Sequence, residues 1–330
     1  MRVLVVGGAG YIGSVVTRML RQQGFDAVVF DNLSKGHRRA VPADCLFIEG
    51  DMGDASHLRR VFSERFDAVM HFAAFSAVGE SVQDPAPYFE NNFAKSLVLF
   101  KAMREHGVNK LIFSSTASVY GDPDLCPITE DFPLKPTSPY GESKLAVENA
   151  LKWYSQAYDL HYASLRYFNA AGAYEDAGED HEPESHLIPL ILKVAEGSRA
   201  SLTIFGDDYL TVDGTCIRDY IHVKDLAEAH RLALMYLHNG GSSDVFNLGN
   251  GDGASVRQVI TAAEKVTGKA ISIEKGQRRP GDPAVLVASS AKINRILGWQ
   301  AKNSSLEQMI KDAWQWRCKH APRASATERP

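Results

Sequence analysis

At 330 residues, 45% of them hydrophobic and 23% charged, the chain can bury a large core and exceeds what one core usually spans, so two unequal lobes are expected. A formal net charge of -4 excludes a broad basic surface, and nucleic acid binding is not expected. No apolar run approaches the roughly 18 residues of a membrane span, and the apolar residues 3–6 are too few for a signal-peptide core. A cytoplasmic location without membrane association is therefore expected. Cys45, Cys126, Cys216 and Cys318 lack paired spacing, which suits reduced thiols better than a disulfide framework.

In chain order, residues 3–6, 27–30, 46–48, 68–71 and 111–113 are short apolar or β-branched runs separated by segments long enough for helices. That alternation predicts βαβ units around a buried parallel sheet, a doubly wound α/β domain over residues 1–172. Beyond Arg166 the pattern changes to an acidic, Gly- and Pro-containing loop at 173–184, a helix at 187–196 and a strand at 202–205. These predict a smaller C-terminal α/β lobe, mainly residues 173–330, for the substrate. A helix-like run at 226–237 and a strand-like one at 245–248 are expected to rejoin the first domain, over about residues 215–250. The Pro-, Arg-, Ala- and Thr-rich tail after His320 is expected to fray.

Gly7, Gly10 and Gly13, in GGAGYIG, stand between the first strand and a helix-like run at 11–23. Glycine there permits a tight turn and close approach of a pyrophosphate, and the helix N-terminus favours its negative charge. Three glycines can also mean only a turn; the strand before and the helix after give them context. Asp31 ends the next strand, where a carboxylate can accept hydrogen bonds from a ribose diol and would repel a 2′-phosphate, so NAD is favoured over NADP. Its plainer reading is a residue that opens a turn with Asn32. Asp51 could touch adenine or be an ordinary acidic loop residue.

Tyr140 and Lys144 are four apart in SPYGESKLAVE, which puts phenol and ammonium on one helix face. A phenol ordinarily titrates near 10, yet a neighbouring ammonium and a nicotinamide cation both favour phenolate, making Tyr140 a credible proton acceptor. Such a pair is common on amphipathic helices; the glycine turn lifts it above packing. Ser114, Ser115 and Thr116 close the fifth strand, at the sheet edge where ligands of open α/β sheets bind.

The glycine turn, Asp31, HFAAFSAVGES, SSTASVYG, YGESK, RYFN and RDYIHVKDLA together resemble the extended short-chain dehydrogenase/reductase family, from residue 1 to about residue 318, and most closely its branch that inverts C4 of nucleotide sugars. The resemblance implies a Rossmann-type fold and a bound NAD. It places Gly7, Gly10, Tyr11, Ile12 and Gly13 at the phosphates and Asp31, Asn32, Asp51 and Met52 at ribose and adenine. Phe72, Ala73, Ala74, Asn91, Tyr140, Lys144 and Phe168 fall on its further NAD contacts, Thr116 on its sugar-oxygen position and Tyr140 on its base. Asn169, Leu187, Thr203, Phe205, Arg218, Arg279 and Asp282 match contacts to a UDP-sugar. For Arg218 a local ion pair with Asp219 is the alternative.

The implied reaction is interconversion of UDP-glucose and UDP-galactose through a transient 4-keto sugar, with a homodimer as the implied assembly. UDP-glucuronate or UDP-N-acetylglucosamine 4-epimerisation stays open, because Leu286 replaces the Tyr or Cys often found beside the sugar's 2-substituent. Ser76 replaces a lysine that reaches the cofactor in many relatives. Dehydratases of the family follow the threonine with Asp-Glu, whereas Ala117 and Ser118 follow Thr116, which disfavours elimination. A non-catalytic NAD-sensing regulator would need the glycine turn but not Tyr140, Lys144 and Thr116. No metal is expected: His181 and His186, with Glu182 and Glu184, lack a His-x-x-x-His helix and read as a solvated loop, while His222 and His230 read as capping or packing a helix.

Overall fold

A computed structural model describes residues 1–279 and 282–320; the tail expected to fray lies outside the described residues. The chain opens with β1 (Arg2–Val6), α1 (Tyr11–Gln22), β2 (Asp26–Asp31), β3 (Leu46–Glu49), α2 (Ala55–Val61) and β4 (Ala68–His71). Next come α3 (Val78–Gln83) and α4 (Ala86–Tyr88), which runs through a π-turn, Phe89–Ala94, into α5 (Lys95–Glu105). Then follow β5 (Lys110–Thr116), α6 (Pro139–Tyr158), β6 (His161–Tyr167), β7 (Asn169–Ala171), β8 (Ala173–Tyr174), β9 (Ala177–Gly178), α7 (Leu187–Ala195), β10 (Leu202–Phe205), β11 (Ile217–Arg218) and β12 (Tyr220–His222). The remainder is α8 (Val223–His238), β13 (Asp244–Leu248), β14 (Ala254–Ser255), α9 (Val256–Thr267), β15 (Ile273–Gly276), β16 (Val285–Leu286), α10 (Ala291–Leu297) and α11 (Leu306–His320).

Seven strands form one parallel sheet in the order β13-β6-β5-β4-β1-β2-β3. The strands read as unbroken apolar runs because both faces are covered. Side chains alternate across the sheet: Val3 and Val5 join one layer with Val15, Val16 and Leu20 of α1 and Leu226 and Leu234 of α8. Leu4 and Val6 join the other, with Leu58 of α2, Leu99, Phe100 and Met103 of α5 and Val147 and Leu151 of α6. The strand order reverses between β1 and β4, which opens a crevice at their carboxyl ends.

The second lobe packs Ile188, Ile191 and Leu192 of α7, Leu202 and Ile204 of β10, Val259 and Ile260 of α9, and Met309 and Ile310 of α11 into a core of its own. Elements beyond residue 172 return to the first: β13 pairs in parallel with β6, α8 packs beside α1, and Ile293 of α10, with Trp299 after it, joins the same core layer. Among the described residues no helix is long and apolar enough to cross a membrane.

Candidate functional site

The carboxyl ends of five parallel strands surround a cavity of about 300 Å³. Gly7, Gly10, Tyr11, Ile12 and Gly13 follow β1, Asn32 follows β2, Asp51 and Met52 follow β3, Phe72 to Ser76 follow β4, and Ser114, Thr116 and Ser118 stand at the end of β5, all on its wall. Every residue expected at the cofactor lines this cavity, from Gly7, Gly10, Tyr11, Ile12, Gly13, Asp31 and Asn32 to Asn91, Tyr140, Lys144 and Phe168. One register thus gathers residues more than 150 positions apart.

The glycine turn is built for contact. Gly7 has φ of +81°, a conformation that penalises any Cβ, and a methyl there would sit 2.4 Å from the Ala73 nitrogen. Gly13 is crowded too, with its would-be Cβ 2.3 Å from the Gly7 oxygen. Gly10 differs: the Gly7 oxygen, at 3.4 Å, is all that its Cβ would meet within 4 Å, so this glycine leaves room on the cavity side. Gly10 also caps α1 without a side-chain acceptor, and the first N–H groups of a helix have no partner within it. A dinucleotide pyrophosphate fits such a cradle.

The Asp31 carboxylate is buried and accepts the Ala9 N–H on Oδ2 at 2.9 Å and the Leu33 N–H on Oδ1 at 2.8 Å. It therefore does close a turn, onto Leu33, while still facing the cavity. Burial pushes its pKa up, and the two backbone bonds oppose that. Asp51 accepts from Lys95 Nζ at 2.7 Å, Asn32 Nδ2 at 2.9 Å and the Gly53 N–H at 2.7 Å. Burial raises its carboxyl, but these partners prevail and hold it below the usual range.

Ser138 caps α6 by accepting the Gly141 N–H at 3.2 Å, and Pro139 opens the helix, so Tyr140 and Lys144 descend its buried face. Lys144 Nζ donates to the Ser114 carbonyl at 2.8 Å and lies 4.9 Å from the Phe113 ring centroid. Burial brings its pKa down to about 7, against the pull of Glu148 one turn further on. Glu148 is itself clamped by Arg166, with Nε at 2.9 Å, and by the Ser115 hydroxyl at 2.6 Å. Burial raises the Tyr140 phenol, and a side-chain hydrogen bond with Thr116 works the other way. Enclosure outweighs that partner in the cofactor-free chain, because a fully enclosed phenolate loses more hydration than one hydrogen bond returns.

Asn169 also lines the cavity, whereas Leu187, Thr203, Phe205, Arg218, Arg279 and Asp282 do not. Arg279 lies over the Phe205 ring at 4.0 Å. The alternative pairing of Arg218 with Asp219 is overturned: Arg218 pairs with Asp282, while the Asp219 carboxylate is taken up by backbone N–H groups. Asp219 is buried, accepting the N–H groups of Ala288 at 3.0 Å, Asn250 at 2.8 Å and Gly251 at 3.1 Å. Ser76 lines the cavity, and Leu286 packs with Ala117 and Phe168.

Among the wall residues that were not foreseen are Glu179, His181 and His186. Glu179, rather than Glu182, joins His181, Glu184 and His186 in one cluster whose ligating atoms lie within 4.8 Å of one another. Glu179, ahead of the opposing effect of burial, carries His186 up to about 11. His222 caps α8 by accepting the Lys224 N–H at 2.9 Å, and His230 Nδ1 meets the Leu226 carbonyl at 2.8 Å, the helix roles read from the sequence.

Comparison with known proteins agrees with this geometry. A UDP-glucose 4-epimerase of Halalkalibacterium halodurans is 53% identical over 99% of this chain and 98% of its own. The solved UDP-glucose 4-epimerase from Brucella ovis in complex with NAD superposes with a TM-score of 0.93 at 45% identity, covering 95% of this chain and 97% of that one. For the Bifidobacterium longum UDP-glucose 4-epimerase in complex with NAD+ and UDP the TM-score is 0.91 at 39% identity, covering 97% and 99%. With its glycine turn, its Tyr140 and Lys144 face and a match of residues 3–249 to the family's model, the chain belongs to the NAD dependent epimerase/dehydratase family.

Proposed function

We propose that the chain interconverts UDP-glucose and UDP-galactose, inverting C4 of the hexose through a transient 4-keto sugar. The observation that carries this is the convergence of Tyr140, Lys144 and Thr116 on the cavity that holds the glycine turn. NAD held there would supply a nicotinamide ring able to accept a hydride from the sugar and give it back. Gly7, Gly10, Tyr11, Ile12 and Gly13 hold its phosphates, Asp31 and Asn32 a ribose, and Asp51 and Met52 the adenine end. Tyr140 accepts the proton of the sugar 4-hydroxyl, directly or through Thr116, and later gives it back. Lys144, fixed by the Ser114 carbonyl, stands one helical turn from Tyr140, where its ammonium form favours phenolate. Asn169, Leu187, Thr203, Phe205, Arg218, Arg279 and Asp282 grip the UDP, and the arginines suit a diphosphate because a guanidinium offers paired donors. With the nucleotide held, the keto sugar is free to turn over.

The test is incubation with UDP-galactose and no added cofactor. UDP-glucose should accumulate; a strict need for added NAD in every turnover would refute the scheme.

The domain division that fits this work is residues 1–172, rejoined by about 215–250, for NAD, and mainly 173–330 for the UDP-sugar; the pairing of β13 with β6 supports it. The enzyme works as a cytoplasmic homodimer. Trp153 and Tyr158 on α6 are 70% and 47% exposed, and Val82 and Phe89 beside that helix are 62% and 38% exposed, apolar surface that suits a partner copy. Sedimentation should give twice the chain mass.

A further inference from the structure

We propose that Glu179, His181, Glu184 and His186 form a binding site for a single zinc ion on the wall of the cavity. The cluster lies between β9 and α7, and its side chains converge from both ends of that connection. His186 Nδ1 is 2.9 Å from Glu179 Oε1 and 2.9 Å from Glu184 Oε1, and His181 Nδ1 is 3.3 Å from Glu179 Oε1. Ligands at about 2.0–2.2 Å from a tetrahedral zinc stand about 3.3–3.6 Å from one another, so small side-chain shifts would admit the ion.

The acids are not solvated surface groups: the Glu179 and Glu184 side chains are 9% and 3% exposed. Among the described residues neither pairs with a lysine or arginine, so histidines are their only ionic partners. Glu184 Oε1 is held in place by the N–H groups of Ser185 at 2.7 Å and His186 at 2.8 Å. The His181 Nδ1 atom is buried and completes no hydrogen bond, although it stands 3.3 Å from Glu179 Oε1, so its contact with the carboxylate is incomplete. A divalent cation balances two carboxylates, and two imidazoles favour zinc over magnesium or calcium. On coordination each histidine presents a nitrogen lone pair, and any proton held there leaves to solvent. The ion would fasten residues 179–186, and with them the start of α7, against the Tyr11 ring, which stands edge-on to His181 at 6.4 Å.

The full chain is stripped with a chelator, exposed to zinc in slight excess, gel-filtered and analysed for metal. One zinc per chain should remain, with a rise in melting temperature. Glu179→Gln and His181→Ala should each weaken retention by more than about tenfold, while the neighbouring Glu182→Gln should bind as the wild type does. Equal zinc in the wild type and His181→Ala, meaning an adventitious ion only, would overturn the proposal, as would equal loss in Glu182→Gln. If the cluster variants fail to fold, cobalt in the wild-type chain decides: intense tetrahedral visible bands support the site, and weak octahedral ones refute it. The readout is metal content and spectrum, so it stands apart from sugar turnover.

Discussion

Replacing Lys144 with methionine should stabilise the cofactor-free protein at low pH and do so less as the pH rises. The ammonium is buried under the cavity floor, and burial lowers its pKa from 10.5 to about 7. Between those two values the unfolded chain carries a proton that the folded chain lacks, so the wild type gains stability as pH rises from about 7 to 10.5, and the whole penalty is present below 7. A displacement of 10.5 − 7 = 3.5 units corresponds to about 5 kcal/mol at most. Linkage gives a penalty of about 5 kcal/mol at pH 6 and about 2 kcal/mol at pH 9. Lys144→Met removes it but leaves the Ser114 carbonyl without its donor, at a cost of about 1–3 kcal/mol that does not depend on pH. Guanidinium unfolding of both proteins at the two pH values isolates the linkage, because the other titrations cancel in the difference. The variant should gain on the wild type by about 2–3 kcal/mol on going from pH 9 to pH 6. A difference constant within about 0.5 kcal/mol would show that Lys144 keeps an ordinary pKa in the fold.

Tyr140→Phe should keep the fold and lower the conversion of UDP-galactose by about 10²–10⁴-fold, read by chromatography of the two sugars. Gly10→Ala should leave the melting temperature near wild type but weaken retained dinucleotide, measured by absorbance, since its methyl meets only the Gly7 oxygen at 3.4 Å and otherwise enters the cavity. Gly13→Ala should destabilise by about 1–3 kcal/mol in chemical unfolding, because its Cβ would lie 2.3 Å from the Gly7 oxygen and 2.9 Å from the Gly8 Cα. Arg166→Met should cost about 3–5 kcal/mol, since it strands the Glu148 carboxylate, which is fully buried.

The strands and the crevice were legible because a sheet covered on both faces writes each strand as an apolar run, and because consecutive parallel strands deliver their carboxyl ends to one edge. The run at 111–113 understated β5, which extends over Lys110–Thr116: polar Ser114 to Thr116 still pair with β6 as they enter the site. Partnerships set by long-range packing were not legible. Nothing near Arg218 points to Asp282, 64 residues on, and nothing near Asp51 points to Lys95. The loop at 179–186 looked solvated because its composition is acidic; that Glu179, His181 and His186 reach the cavity wall beside Tyr11 depends on contacts no local spacing encodes. The burial of the Tyr140 phenol was not legible for a related reason, since enclosure is a property of the whole pocket and not of a neighbour four residues away.

The late arrival of β13 has a consequence for biosynthesis. A nascent chain released only to residue 172 presents β6 with a bare edge and α1 without the α8 helix that covers it. The first lobe cannot complete its sheet until residue 248 has left the ribosome, nor its α1 layer until Ile293 and Trp299 follow, by which time most of the second lobe is already in solution. The two lobes should accordingly gain protection from hydrogen exchange together, and a fragment cut at their apparent border should be prone to pair edge to edge with another copy.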